Sequence, residues 1–117
     1  MKINPETLFN SLSNELRLRS LMLMQADGEL CVCELISVFN LSQPKVSRHL
    51  ALLRENGLVS DRRAGQWVYY RINPKLEKWV LDILKITFQE NMNNAPFRND
   101  LRQLKSMNKR PGSNGCN

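Results

Sequence analysis

The feature that most constrains this chain is a change of apolar period in its middle. After Ser42, the residues Val46, Leu50 and Leu53 recur at i, i+4 and i+7, the stripe of a helix with one buried face. From residue 58 the pattern alternates. Val68, Tyr70 and Ile72 share one side of an extended strand, and Trp67, Tyr69 and Arg71 the other. Strands over 58–63 and 66–72, joined at Ala64-Gly65, predict a hairpin with a short glycine-containing loop. Upstream, a helix over 32–39 with Leu35 and Val38 facing inward meets the Ser42 helix through only Asn40 and Leu41. Helix, tight turn, helix, hairpin is the winged helix-turn-helix order: a mainly α fold with a β-hairpin wing.

The flanks supply the core. Asn4-Pro5 reads as an N-cap followed by proline in the first turn of a short helix carrying Leu8, Phe9 and Leu12. Ser13 or Asn14 caps a second helix reaching about Gln25, apolar nearly all round and therefore central. Asp27-Gly28 stops it, and Glu29-Leu30-Cys31 reads as a brief extended piece. Beyond the hairpin, Asn73-Pro74 is expected to cap a helix with a wide stripe of Leu76, Trp79, Val80, Ile83, Leu84, Thr87 and Phe88, broken at 91–94. Phe97, Leu101 and Leu104 suggest a last short helix. These elements make one winged helix DNA-binding and dimerisation domain over 1–107, with 108–117 expected as a flexible tail. The stripe on the 74–91 helix is wider than one small domain covers, which predicts a homodimer through that helix and the first one.

Charge is uneven along the 117 residues. The net charge is −2 over residues 1–40, +4 over 41–71 and +4 over 72–117. A basic middle beside an acidic head points one face at a polyanion. The second helix of a helix-turn-helix lies in the major groove with its first residues on base edges. With Val46 and Leu50 inward, that helix presents Ser42, Gln43, Lys45, Ser47, Arg48 and His49. Gln suits adenine, Arg and Lys suit guanine, and hydroxyls with free first-turn N–H groups suit phosphate. His49, the only histidine, is expected to touch phosphate or pack on the turn. At the wing tip Arg62, Arg63 and Gln66 are the expected contacts with double-stranded DNA; Tyr69 and Arg71 read as structural.

No apolar run approaches the length of a membrane span, and the N-terminus lacks a signal-peptide pattern. Three cysteines, two of them at 31 and 33, make a poor disulfide framework and fit a reducing cytoplasm. No paired-carboxylate, Ser-His or phosphate-loop constellation is present, so an enzyme is not expected. Thiolates favour soft, thiophilic ions, and a helix start at Cys31-Val32-Cys33 is expected to lower thiol pKa.

Three segments carry a resemblance to a known family: Glu29-Leu30-Cys31-Val32-Cys33-Glu34-Leu35, Ser42-Gln43-Pro44-Lys45-Val46-Ser47-Arg48-His49-Leu50, and Gly65-Gln66-Trp67-Val68-Tyr69-Tyr70-Arg71. Over about residues 5–90 the chain resembles the ArsR-type (ArsR/SmtB) arsenic-responsive repressors. The resemblance implies a homodimer that binds an operator and is released by As(III) or Sb(III) at Cys31 and Cys33, with no organic cofactor. The family pattern often carries a third cysteine three residues after the second; here that position is Ile36. Cys116 is then the remaining thiol, and we read it as a bystander rather than a third ligand. Zinc-sensing relatives tend to place His and acidic ligands on the long C-terminal helix, whereas 76–88 holds Glu77 and Asp82 but no His. Two other readings stay open: the same thiols as a redox switch on a DNA-binding repressor, and a thiol-based metal carrier whose basic face is incidental.

Overall fold

The computed structural model describes residues 2–107. In chain order the elements are α1 (Pro5–Leu12), α2 (Glu15–Asp27), β1 (Leu30–Cys31), α3 (Val32–Phe39), α4 (Gln43–Glu55), β2 (Val59–Ala64), β3 (Trp67–Ile72), α5 (Lys78–Asn91) and α6 (Phe97–Ser106). This is the expected mainly helical winged helix-turn-helix. The sheet has one strand more than a bare hairpin: β1 lies antiparallel on the far side of β3, giving the order β1-β3-β2. Leu30 pairs with Tyr70 and Cys31 with Tyr69.

Caps and stripes place most elements. Asn4 Oδ1 accepts the Glu6 N–H at 2.8 Å, and Pro5 opens α1 at no hydrogen-bond cost. Asn14 rather than Ser13 caps α2. That helix is the hub, packing against α1, α4, α5, α6 and β3, with Leu21, Met22, Leu23 and Met24 all within 2% of complete burial. On α4, Val46, Leu50 and Leu53 are buried as their spacing demands. Each such side chain stabilises the fold by about 1.5–3 kcal/mol relative to exposure. On α3 the inward pair is Leu35 and Phe39, with Val38 only half-buried at the core edge. Phe39 is drawn in by the Arg19 guanidinium, 4.8 Å from its ring centroid.

Two boundaries differ from expectation. The hairpin turn is Gly65-Gln66, one residue later than expected, with Ala64 facing Trp67 as the closing pair. A two-residue loop asks for φ > 0 at its first position, and Gly65 supplies φ 63. The helix after the wing starts at Lys78, with Glu77 at the N-cap, not at Asn73-Pro74. Asn73 is occupied otherwise: its Oδ1 accepts the Lys75 N–H and its Nδ2 donates to the Gly57 carbonyl, both at 3.0 Å. That closes a turn, pins the exit of β3 and drops Leu76 into the core. On α5, Val80 and Leu84 are buried, while Trp79 and Ile86 remain 37% and 57% exposed, as does Phe9 of α1 at 55%. α6 docks on α2 and α3 through a paired contact of Arg19 with the buried Asp100 carboxylate at 2.6 and 2.7 Å.

Candidate nucleic-acid interface and thiol pair

α4 presents a polar face in the arrangement its sequence suggested. Ser42 stands at the N-cap, its Oγ 3.4 Å from the Lys45 N–H. Ser42, Gln43, Lys45 and Arg48 are exposed and Ser47 is half-buried. Gln43 Nε2 donates to Ser47 Oγ at 2.7 Å, so those two hold each other one helical turn apart. Among the described residues Lys45, Arg48 and Arg63 carry no ion pair, which leaves their charge for an incoming anion.

His49 stands differently. It is half-buried and turned toward α2, with Nδ1 3.3 Å from Nη1 of Arg17. Burial pushes its pKa below the usual histidine range, and Arg17, Arg48 and Lys45 push it further down. The wing arginines also diverge. Opposite residues of an antiparallel pair share a face, so Arg62 lies with Tyr69 and Arg63 with Val68. Arg62 rests 4.6 Å from the Tyr69 ring centroid and grips the Glu29 carboxylate with two nitrogens, at 3.1 and 2.5 Å. That guanidinium holds the Glu29 carboxyl below its usual pKa. Arg63 and Gln66 are exposed at the tip, and Arg71 is exposed on the outer face. Glu29 as the acid that ties down the wing was not anticipated.

The thiols are arranged otherwise than the sequence suggested. Cys31 is the N-cap of α3 and the last residue of β1, in extended backbone (φ −78, ψ 148); only Cys33 lies inside the helix. Cys31 is 1% exposed and is a free thiol, whereas Cys33 is half-buried and disulfide-bonded, so the expectation of a poor disulfide framework does not hold for Cys33. The expected lowering of thiol pKa does not hold for Cys31. Burial pushes it up, the Glu34 carboxylate adds to that, and the N–H groups of Cys33, Val68 and Glu34 only partly oppose it. Glu34, 3% exposed, is the residue the sequence reading missed: its Oε1 accepts the Cys31 N–H at 2.9 Å, closing a capping box. The signal was there, since an acid three residues after a helix N-cap is the mark of that motif, but cysteine is not an ordinary capping residue. Cys116 lies outside the described residues. Among the described residues no three His, Cys, Asp or Glu side chains cluster in a way that would hold a metal ion, and no helix is long and apolar enough to cross a membrane.

A winged helix-turn-helix with a thiol at the start of its first motif helix has known relatives. Residues 14–61 match the family model described as bacterial regulatory protein, arsR family. The chain is 51% identical over 109 residues to a protein of Pseudomonas putida named arsenic resistance transcriptional regulator ArsR2, covering 93% of each. The chain belongs to the arsR family. It is 50% identical over 80 residues to the Escherichia coli arsenical resistance operon repressor, 68% of each chain. Among solved structures, HlyU from Vibrio cholerae superposes with a TM-score of 0.64 at 35% identity, over 74% of this chain and 89% of that one. Membership of this arsR family makes the chain a DNA-binding transcriptional regulator and not an enzyme.

Proposed function

We propose that this arsR-family chain is a metalloid-responsive repressor: a homodimer that binds operator DNA and is released by trivalent arsenic or antimony at Cys31 and Cys33. The observation that carries the reading is the placement of Cys31. One buried residue ends β1, caps α3 and contributes a soft sulfur donor. The names of the relatives from Pseudomonas putida and Escherichia coli support the inducer class. Exposed Phe9, Trp79 and Ile86 on α1 and α5 support the dimer interface.

DNA contacts fall to Ser42, Gln43, Lys45, Ser47, Arg48 and His49 of α4, with Arg63 and Gln66 at the wing tip. Arg62 joins them only by exchanging Glu29 for phosphate. A two-fold dimer would set two α4 helices about one turn of duplex apart. The domain is 1–107, and Cys116 is a bystander in this reading.

The capping geometry bears on how release would work. A helix turns about 100° per residue, so thiols two apart point away from each other inside it. Cys31 is already outside the helix, at its N-cap. With Cys33 reduced to a thiol, what must give is local: for Cys31 to meet Cys33 on one ion, it leaves its place among the N–H groups of the helix start, and the Cys31–Glu34 box opens. Two connections lead away. α3 reaches α4 through Asn40, at φ 54, and Leu41. Cys31 pairs with Tyr69, which stacks under Arg62 of the wing. DNA favours the capped form and the inducer the uncapped one, and that difference is the coupling. The test is DNA binding with and without arsenite. Wild type is expected to let go, while Cys31→Ser and Cys33→Ser stay bound and Cys116→Ser behaves as wild type. Normal release from both Cys31→Ser and Cys33→Ser places the inducer elsewhere; release by peroxide but not arsenite favours the redox switch.

A further inference from the structure

Arg17 is a cation in the first turn of the hub helix, 9% exposed, and no carboxylate pairs with it among the described residues. Its guanidinium is instead spent on oxygens and on a ring. Nε donates to the Ser11 carbonyl at 3.0 Å and Nη2 to the Asn10 carbonyl at 3.2 Å. Those are carbonyls of the last turn of α1, the negative end of that helix, where a cation is favoured. The remaining fork nitrogen, Nη1, meets His49 Nδ1 at 3.3 Å.

Arginine has donors and no acceptor. For that contact to be a hydrogen bond, Nδ1 must accept, so it carries no proton and the neutral ring holds its proton on Nε2. Nε2, on the other side of the ring, has no partner among the described residues. Yet no buried side-chain nitrogen or oxygen lacks a partner there. Nε2 therefore reaches solvent, as an N–H. It does so four residues from Lys45, on the same stripe of α4.

A second contact lies along the same edge. Asn56, seven residues after His49 and so nearly in line with it on the helix, donates from Nδ2 to Ser11 Oγ at 3.1 Å. Ser11 Oγ in turn donates to the Thr7 carbonyl at 2.8 Å. α4 is thus seated at two points, two turns apart, on the corner where α1 meets α2. Two points along one edge set how far a helix is rotated about its own axis, and that rotation decides which side chains of α4 face the groove.

We propose that Arg17 is a positioning residue for DNA recognition, seating the reading helix on the α1–α2 corner and fixing His49 as a neutral Nε2–H donor to a backbone phosphate. This rests on the reading of α4 as the DNA-contacting helix. It assigns Arg17 a part in recognition although it is buried and touches no nucleic acid. It also makes His49 a phosphate ligand that brings no charge. Every charged group facing the ring is a cation, Arg17 from α2 and Lys45 and Arg48 from α4, so protonating His49 sets it against all three and breaks the Arg17 contact.

The single histidine makes the test direct. In the free full-length protein, nitrogen NMR of His49 is expected to show the Nε2–H tautomer. Arg17→Met should lose that preference and raise the His49 titration midpoint, while Arg17→Lys restores part of it. Because Arg17→Met strips a partner from two α1 carbonyls and so puts folding itself at risk, the decisive pair is read on the wild-type ring and on His49 variants. His49→Leu should bind duplex DNA about three- to tenfold more weakly, the loss of one neutral hydrogen bond. The loss should be equal on operator and random sequence, with an unchanged slope of affinity against salt, because a neutral donor releases no counterion. His49→Gln, which can accept from Arg17 and donate outward, should recover part of it. An Nδ1–H tautomer, wild-type affinity in His49→Leu, or a salt slope reduced by about one, as for a lost cation, each overturns the proposal. Failure of the wild-type protein itself to bind any duplex overturns the DNA-binding reading along with it; the other failures leave that reading standing.

Discussion

At the start of α4 the charged groups Lys45 and Arg48 stand clear of the fold, whereas at the β1–α3 junction the Cys31 side chain is part of it. Lys45 and Arg48 are exposed and carry no ion pair among the described residues. Cys31 is 1% exposed, its N–H is held by the Glu34 carboxylate, and its backbone pairs with Tyr69 of the sheet. The difference teaches how one small domain could divide the proposed DNA binding from the proposed inducer response. Groups on a helix whose backbone is already satisfied can meet DNA without altering the fold. A group that is itself a cap and a strand end cannot be engaged without altering it.

The comparison breaks first at α4. Arg48→Ala is expected to weaken operator binding by about 1–3 kcal/mol if it reads a base, while thermal stability moves by no more than about 0.5 kcal/mol, as for an exposed side chain away from caps and core. Lys45→Ala should weaken all sequences alike and lower the salt slope by about one. A fall in melting temperature that matches the loss of affinity would show that these residues belong to the fold as well.

At the junction the opposite split is expected. Glu34→Ala leaves the buried Cys31 N–H without its acceptor and should lower stability by about 1–2 kcal/mol. Glu34→Gln, which keeps an acceptor oxygen, should recover most of that in chemical denaturation. DNA affinity per folded molecule should change less than inducer release does. If Glu34→Ala is as stable as wild type, the cap is not what holds Cys31.

The smallest effect is a pH term at the seam between the two regions. His49 has its pKa lowered in the fold, first by burial and then by Arg17, Arg48 and Lys45, against about 6.5 in an unfolded chain. Between those two values the unfolded chain holds more protons than the native one. The contribution is therefore full above about pH 6.5 and is lost as pH falls through the native value. Unfolding of wild type and His49→Gln at stepped pH should show a loss on acidification that the variant lacks. Parallel curves would mean that the ring is not held neutral.

Much of this was legible in the residues alone because it is local. The i, i+4, i+7 stripe of α4, the caps Asn4 and Ser42, and the alternation of β3 depend only on neighbours within a few positions, and they survive folding unchanged. The polar face of α4 followed from that stripe by subtraction. What sequence could not supply were pairings between distant positions: Glu29 with Arg62, Arg19 with Asp100, Arg17 with His49, and Cys31 with Tyr69. Arg17 and Arg19 were hidden in a helix that reads as apolar all round, and only α1 and α6 packed against it show where their charges go. The same holds for the thiol. A helix start argues for a low pKa, but the depth at which Cys31 is buried reverses the direction, because removing an anion from water outweighs the pull of a few N–H groups. The sequence by itself determined which segments become helix and strand and which side chains α4 offers outward. Only the tertiary structure decided which charges are left free and which thiol is buried, since desolvation depends on everything packed around a group and not on its neighbours in the chain.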